Sequence, residues 1–280
     1  MEDRMKQNVL SNYGITRRHF VTTSSIALIG ALYGTKQAIA TGQAAASAGP
    51  PDPKLIEDLV AANRILADLG IVDAFGHVSA RHNRDPNRYL LSRDLPPALV
   101  TADDIMEYDL DSNPIDAKGR LLYRERFIHG EIYKARPDVV AVVHDHSPAI
   151  IPFSVSSVPL RPVFHAAAFV TEGVPVFDTR SVPGPPHVLV ESIEAGRALA
   201  KTLGSRQAVL ILGHGAAIVG TSLPMAVGRS FYLEMNAKVQ AQAIALGGQV
   251  NYLDPEAARE AAHFNYERAW VLWKRKVMIK

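Results

Sequence analysis

A chain of 280 residues, 48% of them hydrophobic, is long enough to bury one core of catalytic size and to carry a short appendage. Its 30 basic and 28 acidic residues are mixed along the sequence, so the formal net charge of +2 builds no broad cationic surface and excludes nucleic acid as an expected partner. Cysteine is absent, which excludes disulfides and thiolate chemistry and leaves His, Asp and Glu as the side chains able to hold a metal.

Residues 1–40 run from a polar start through Thr16-Arg17-Arg18-His19-Phe20-Val21 to an apolar stretch from Ser25 to Tyr33, and then to Ala38-Ile39-Ala40 before Thr41. Paired arginines, a short apolar core and a small-residue cleavage site resemble a twin-arginine export signal. The apolar core falls short of the roughly 20 residues that a stable membrane span needs. The expectation is a leader cleaved near Ala40 and a mature protein in the periplasm, or otherwise outside the cytoplasm, without a membrane span. Residues 41–53, rich in Ala, Gly, Ser and Pro, read as a flexible linker. Residues 54–280 read as one catalytic domain.

The domain opens with a helix. Asp52 is placed to cap it, Pro53 suits its first position, and Leu55, Leu59, Ala62, Leu66 and Leu69 recur at steps of four and three until Gly70. Short apolar runs at His77–Arg81, Arg88–Leu91 and Ile105–Leu110 read as strands. A helix from Arg124 to Ala135 is stopped by Pro137, and Val139–His146 is a β-prone run. A helix over Glu191–Leu203 leads to a strand over Ala208–Leu212 and a tight Gly213-His214-Gly215 turn. A long helix follows Pro224 up to Gly247, and a last one begins after Asp254-Pro255. Helices and strands alternate, yet several strand links are short enough for antiparallel pairing, so the class is α/β.

The segment Val139-Val140-Ala141-Val142-Val143-His144-Asp145-His146 carries the most chemistry. Residues two apart on a strand share a face, so His144 and His146 present two imidazoles side by side while Asp145 faces the other way. His214, between two glycines after a buried strand, sits where the backbone turns tightly and delivers one side chain. Three imidazoles leave an open coordination position, which is what Lewis-acid catalysis requires. Glu125 and His129, four apart at the start of a helix, point to one helical face, and a carboxylate there can shuttle protons or merely favour the helix N-terminus.

These pieces together resemble the class II aldolase/adducin family, whose best-known members are zinc aldolases of fuculose and ribulose phosphates. The matching segments run in family order: Gly76-His77-Val78-Ser79-Ala80-Arg81, Leu90-Leu91-Ser92, the Glu125–Tyr133 helix, His144-Asp145-His146-Ser147-Pro148, and Gly213-His214-Gly215. The resemblance implies a three-layer α/β/α domain around a mostly antiparallel sheet, assembled as a homotetramer with active sites near subunit interfaces. It implies one divalent ion per subunit, zinc or manganese with iron as the alternative, held by His144, His146 and His214, and Glu125 as the acid/base residue.

Departures from the sugar-phosphate members narrow the substrate. Those enzymes carry Asn after the first glycine, a Thr/Ser–Gly turn in the second motif and paired serines before the catalytic glutamate. Here His77, Ser92-Arg93-Asp94 and Tyr123-Arg124 stand in those places. Gly76, His77, Ser92, Arg93 and Arg124 are therefore the candidate substrate-binding residues, and arginines grip a planar carboxylate better than small donors do. The aldolase tyrosine that protonates the leaving carbanion is replaced by Ala166 in Pro162-Val163-Phe164-His165-Ala166, with His165 as the neighbouring polar candidate. The expected reaction is decarboxylation of a small hydroxylated or keto carboxylic acid. Aldol cleavage, an iron-dependent oxygenase and a non-catalytic adducin-like assembly domain are the alternatives on the same scaffold.

Overall fold

The computed structural model describes residues 46–185 and 187–279, so the expected leader lies outside the described residues. Helix α1 (Pro53–Asp68) starts where its signals place it: the Asp52 carboxylate accepts from the Lys54 N–H at 2.8 Å, and Pro53 occupies the first turn. Leu59, Ala62, Ile65 and Leu66 form its fully buried stripe. The described end of the 41–53 linker is held to the domain: Ser47 Oγ and Ala48 N–H bond the Glu107 carboxylate at 2.6 and 2.8 Å, and Asp52 N–H bonds Asn83 at 3.1 Å.

Seven strands form one sheet: β1 (His77–Arg81), β2 (Arg88–Ser92), β3 (Ile105–Asp109), β4 (Ala141–Asp145), β5 (Val176–Phe177), β6 (Ala208–Ile211) and β7 (Gly215–Gly220). Their order is β3-β2-β1-β4-β7-β6-β5, and every pairing is antiparallel except β5 with β6. The remaining helices are α2 (Phe127–Ala135), α3 (Ile151–Val155), α4 (Ile193–Leu203), α5 (Leu223–Ala245), α6 (Pro255–Ala261) and α7 (Glu267–Met278).

Strand alternation divides the core into two layers. Val78, Ala80, Leu90, Ala141, Val143, Leu210 and Ile218 pack against α1, α5 and α7. Tyr89, Leu91, Val142, Val209, Ala217 and Val219 face α2 and α4. Helices on both faces of a mostly antiparallel sheet make the three-layer α/β/α arrangement expected from the sequence. No helix among the described residues is long and apolar enough to cross a membrane.

Three local differences shape the site. The helix expected over Arg124–Ala135 breaks in two: Arg124–Arg126 is a 3-10 turn in which Glu125 has φ −90° and ψ 18°, and the α-helix begins at Phe127. The β4 ladder is shorter than Val139–His146, because Val139 and Val140 run up to it and His146 leaves it to turn toward the cluster. The strand β7, unread in the sequence, pairs with β4 and β6 and forms a hairpin whose turn carries His214.

Candidate metal centre

His144, His146, His214 and Glu125 converge, with one potential ligand atom from each lying within 4.8 Å of all the others. Glu125 and His144 are buried, and His146 and His214 are partly exposed, so the cluster opens to solvent on one side. The Nε2 atom of His146 lies 3.2 Å from Nε2 of His144 and 3.0 Å from Nε2 of His214. Glu125 Oε2 approaches Nε2 of His144 and His214 at 3.3 and 3.4 Å.

The far side of each ring fixes its tautomer. His144 Nδ1–H donates to the Ala216 carbonyl at 3.0 Å, His214 Nδ1–H to the Val188 carbonyl at 3.1 Å, and His146 Nδ1–H to Asp73 Oδ1 at 3.3 Å. When an imidazole donates from Nδ1, its neutral form carries a lone pair on Nε2. Three lone pairs and a carboxylate oxygen therefore meet in one small space, an arrangement that repels itself unless a cation sits among the atoms. Each anchor is also the backbone-carbonyl or carboxylate partner that orients a metal-binding histidine. The donor set fits a divalent ion.

Charge points the same way. Burial raises the Glu125 pKa, but positive charge at the facing His144 and His214 rings outweighs it and holds the carboxyl far below the usual carboxylate range. Burial lowers the His214 pKa, and Glu125 with the Val188 carbonyl more than reverses this. The pocket thus keeps an anionic Glu125 and demands positive charge beside it. The second Glu125 oxygen accepts from the buried Val190 N–H at 2.9 Å, so the carboxylate serves the cluster and the 182–191 segment, not the amides of α2.

Two glycines make the approach of the strands feasible. Gly213 has φ +64°, a conformation that L side chains rarely adopt. A Cβ on Gly215 would stand 1.9 Å from the Asp145 carbonyl oxygen, so only glycine lets the β7 backbone lie this close to β4 behind the histidines. Asp145 faces the opposite layer, as alternation predicts; burial pushes its carboxyl up to about 8.

The other expected site residues divide. His77 pairs in register with His144, its ring 5.0 Å from that of His144, and Gly76 packs so tightly that a Cβ would meet Val72 and the His144 carbonyl. Ser92 is buried, with its hydroxyl 3.4 Å from Tyr123 OH. Arg93 is engaged by Asp104 at 2.6 Å and Arg124 by Glu191, so each expected carboxylate-gripping arginine already holds an acidic neighbour. His165 is exposed, with its ring beside Phe164 and Phe264, and no hydrogen bond joins it to the cluster. Sequence reasoning missed Asp73 and the Val188 and Val190 backbone, which orient three of the four cluster residues.

A sheet of this order with a three-histidine, one-carboxylate cage at its margin is the architecture of a class II aldolase domain. The chain belongs to that family: the model for the class II aldolase and adducin N-terminal domain matches residues 57–241. It is 31% identical over 248 residues to decarboxylase tropJ of Talaromyces stipitatus, covering 79% of this chain and 93% of that one. It is 30% identical over 234 residues to a 3,4-dihydroxyphthalate decarboxylase of Arthrobacter keyseri, covering 76% of this chain and 90% of that one. Among solved structures, an L-fuculose 1-phosphate aldolase from Glaciozyma antarctica superposes with a TM-score of 0.65 at 26% identity, covering 82% of this chain and 92% of that one. Decarboxylases and aldolases among the relatives support lyase activity for this chain, and class II aldolases bind a divalent metal of the kind the cluster could hold.

Proposed function

We propose that the protein is a divalent-metal decarboxylase of a small hydroxylated aromatic carboxylic acid, with His144, His146 and His214 holding the ion. The observation that carries this is the cluster itself: three inward Nε2 lone pairs and an ionised Glu125, on a domain whose relatives include decarboxylases. Zinc and manganese suit three imidazoles, and iron does so equally, so the donor set leaves the choice among them to assay. A bound ion supplies Lewis acidity toward a substrate oxygen.

The chain's own residues do the rest. Glu125 takes the proton of a substrate hydroxyl and delivers it to the ring carbon that bears the carboxylate; the carbon–carbon bond to the carboxylate then breaks, its electron pair restoring the aromatic ring and returning negative charge to that oxygen, and carbon dioxide departs. Phe75, Val155 and Val188 are exposed apolar side chains on segments that contact the cluster: Phe75 N–H bonds the Asp73 carboxylate, Val188 accepts from His214, and Val155 lies against Gly213. They offer a hydrocarbon ring apolar surface beside the polar centre. Arg93, Arg124 and His165 remain candidates for the substrate's second acidic group, with the two arginines having to exchange Asp104 and Glu191 for it.

Anaerobic incubation of zinc- or manganese-loaded protein with 3,4-dihydroxyphthalate and related hydroxy acids, read as carbon dioxide release, tests the reading. Release without oxygen supports it. Turnover that strictly consumes oxygen replaces it with the oxygenase alternative, and aldehyde release with the aldolase alternative. We propose in addition that the protein is exported through the twin-arginine leader and assembles as a homotetramer, which cell fractionation and sedimentation of the mature protein respectively test.

A further inference from the structure

Behind the candidate metal centre, four buried polar side chains form an unbroken line. His77 Nδ1 lies 2.7 Å from His129 Nε2, His129 Nδ1 lies 2.6 Å from Ser79 Oγ, and Ser79 Oγ lies 2.8 Å from Tyr133 OH. His77, Ser79, His129 and Tyr133 are each 1% exposed or less. They come from β1 and α2 and touch the layer that also holds His144, yet none of them belongs to the ligand set.

Their hydrogens can be counted. Tyr133 has one, with two places to send it: Ser79 at 2.8 Å, or the Val140 carbonyl at 3.4 Å, which already accepts the Arg81 N–H at 2.7 Å. Hydroxyl hydrogen bonds weaken well before 3.4 Å, so Tyr133 donates to Ser79. Ser79 then sends its single hydrogen to His129 Nδ1, its other partner. An imidazole that accepts at Nδ1 carries its hydrogen on Nε2 when neutral. His129 Nε2–H therefore donates to His77 Nδ1, and His77 in turn carries its hydrogen on Nε2.

That last atom has no partner among the described residues, and it is not among the sealed, unpartnered polar atoms of the interior. His77 Nε2 is thus not sealed off, and its ring lies 5.0 Å from that of His144, on the side of the sheet that carries the cluster. We propose that His77 is a catalytic hydrogen-bond donor, locked in the Nε2–H form by positioning residues His129, Ser79 and Tyr133, and aimed at the substrate ring oxygen on which negative charge grows as the carbon–carbon bond breaks. The inference rests on the decarboxylase reading for its substrate, but not for the tautomer. Both rings are buried, His77 1% and His129 0% exposed, which favours their neutral forms. A donor fixed in advance and shielded from water stabilises such charge more than a mobile one.

The test has two arms. Proton–nitrogen NMR of the zinc-loaded protein with 15N-labelled histidine reads the tautomers directly: the expected result is Nε2–H at both His77 and His129, with Tyr133→Phe releasing the lock to give both tautomers. Nδ1–H at His77 in the wild type overturns the proposal, as does an unaltered spectrum in Tyr133→Phe. In the second arm, His77→Phe lowers kcat on 3,4-dihydroxyphthalate by about 10- to 100-fold, the worth of one hydrogen bond to a charged group, with zinc content unchanged. Unchanged kcat overturns it. If the wild type decarboxylates none of the acids offered, the functional reading fails while the NMR arm still decides the locked tautomer.

Discussion

Glu125 has two separable jobs, and Glu125→Gln divides them. One oxygen accepts the buried Val190 N–H, and the other faces His144 and His214. Glutamine keeps an acceptor for Val190, so the fold loses little. Removing the acceptor altogether, as in Glu125→Ala, strands a buried N–H at a cost of about 1–3 kcal/mol. What glutamine cannot do is exchange a proton. If Glu125 shuttles the proton between hydroxyl and ring carbon, kcat falls by roughly a hundredfold or more, equivalent to about 2.7 kcal/mol of barrier. Because the three histidines are intact, metal content stays near one ion per chain. The assay is kcat, metal analysis and melting temperature on the one variant. A kcat within about threefold of wild type, with melting unchanged, would refute the proton-transfer role, since a group on that path contributes far more than that factor.

The remaining expectations concern the frame. His144→Ala, His146→Ala and His214→Ala each lose metal and activity together; full occupancy in any one removes that residue from the ligand set. Chelation lowers the melting temperature of wild type but not of these variants: at free metal about a thousandfold above Kd the ion contributes about 4.1 kcal/mol, or roughly 8–16 °C for a domain of this size. Gly215→Ala drives a methyl group into the Asp145 carbonyl and should cost about 1–3 kcal/mol or more, read as a lower denaturation midpoint together with weaker metal binding. Arg17→Lys with Arg18→Lys should trap the precursor in the cytoplasm; unimpaired export would sink the twin-arginine assignment.

Much of the centre is legible because the relevant physics is local. His144-Asp145-His146 is read from strand alternation, which puts Asp145 on the face away from His144, as observed, whereas His146 meets His144 only after leaving the strand. His214 is legible from its flanking glycines. What holds these residues is not: Asp73, Val188 and Val190 lie on irregular segments without periodicity, and the last two act through backbone groups that any residue carries. Arg93 and Arg124 illustrate a different limit, because a sequence shows a charge but not the Asp104 and Glu191 that neutralise it across a fold. The strand β7 escaped notice because Gly215-Ala216-Ala217-Ile218-Val219-Gly220 is made largely of small residues with weak strand preference. Their smallness is a packing requirement: a Cβ on Gly220 would meet the Ala226 N–H at 2.5 Å.

The turn that carries His214 also determines when the centre can come into being. His146 and His214 lie 68 positions apart, and the unfolded chain presents only the His144/His146 pair. A site that exists only in the finished hairpin binds its ion with folding energy, so affinity and folding are one equilibrium. Choice of metal is then made wherever the β6–β7 hairpin closes. If the chain folds before export, the ion it carries reflects the metal pool of the cytoplasm and not that of the compartment in which it works; chains refolded in vitro will take whichever competent ion is offered first.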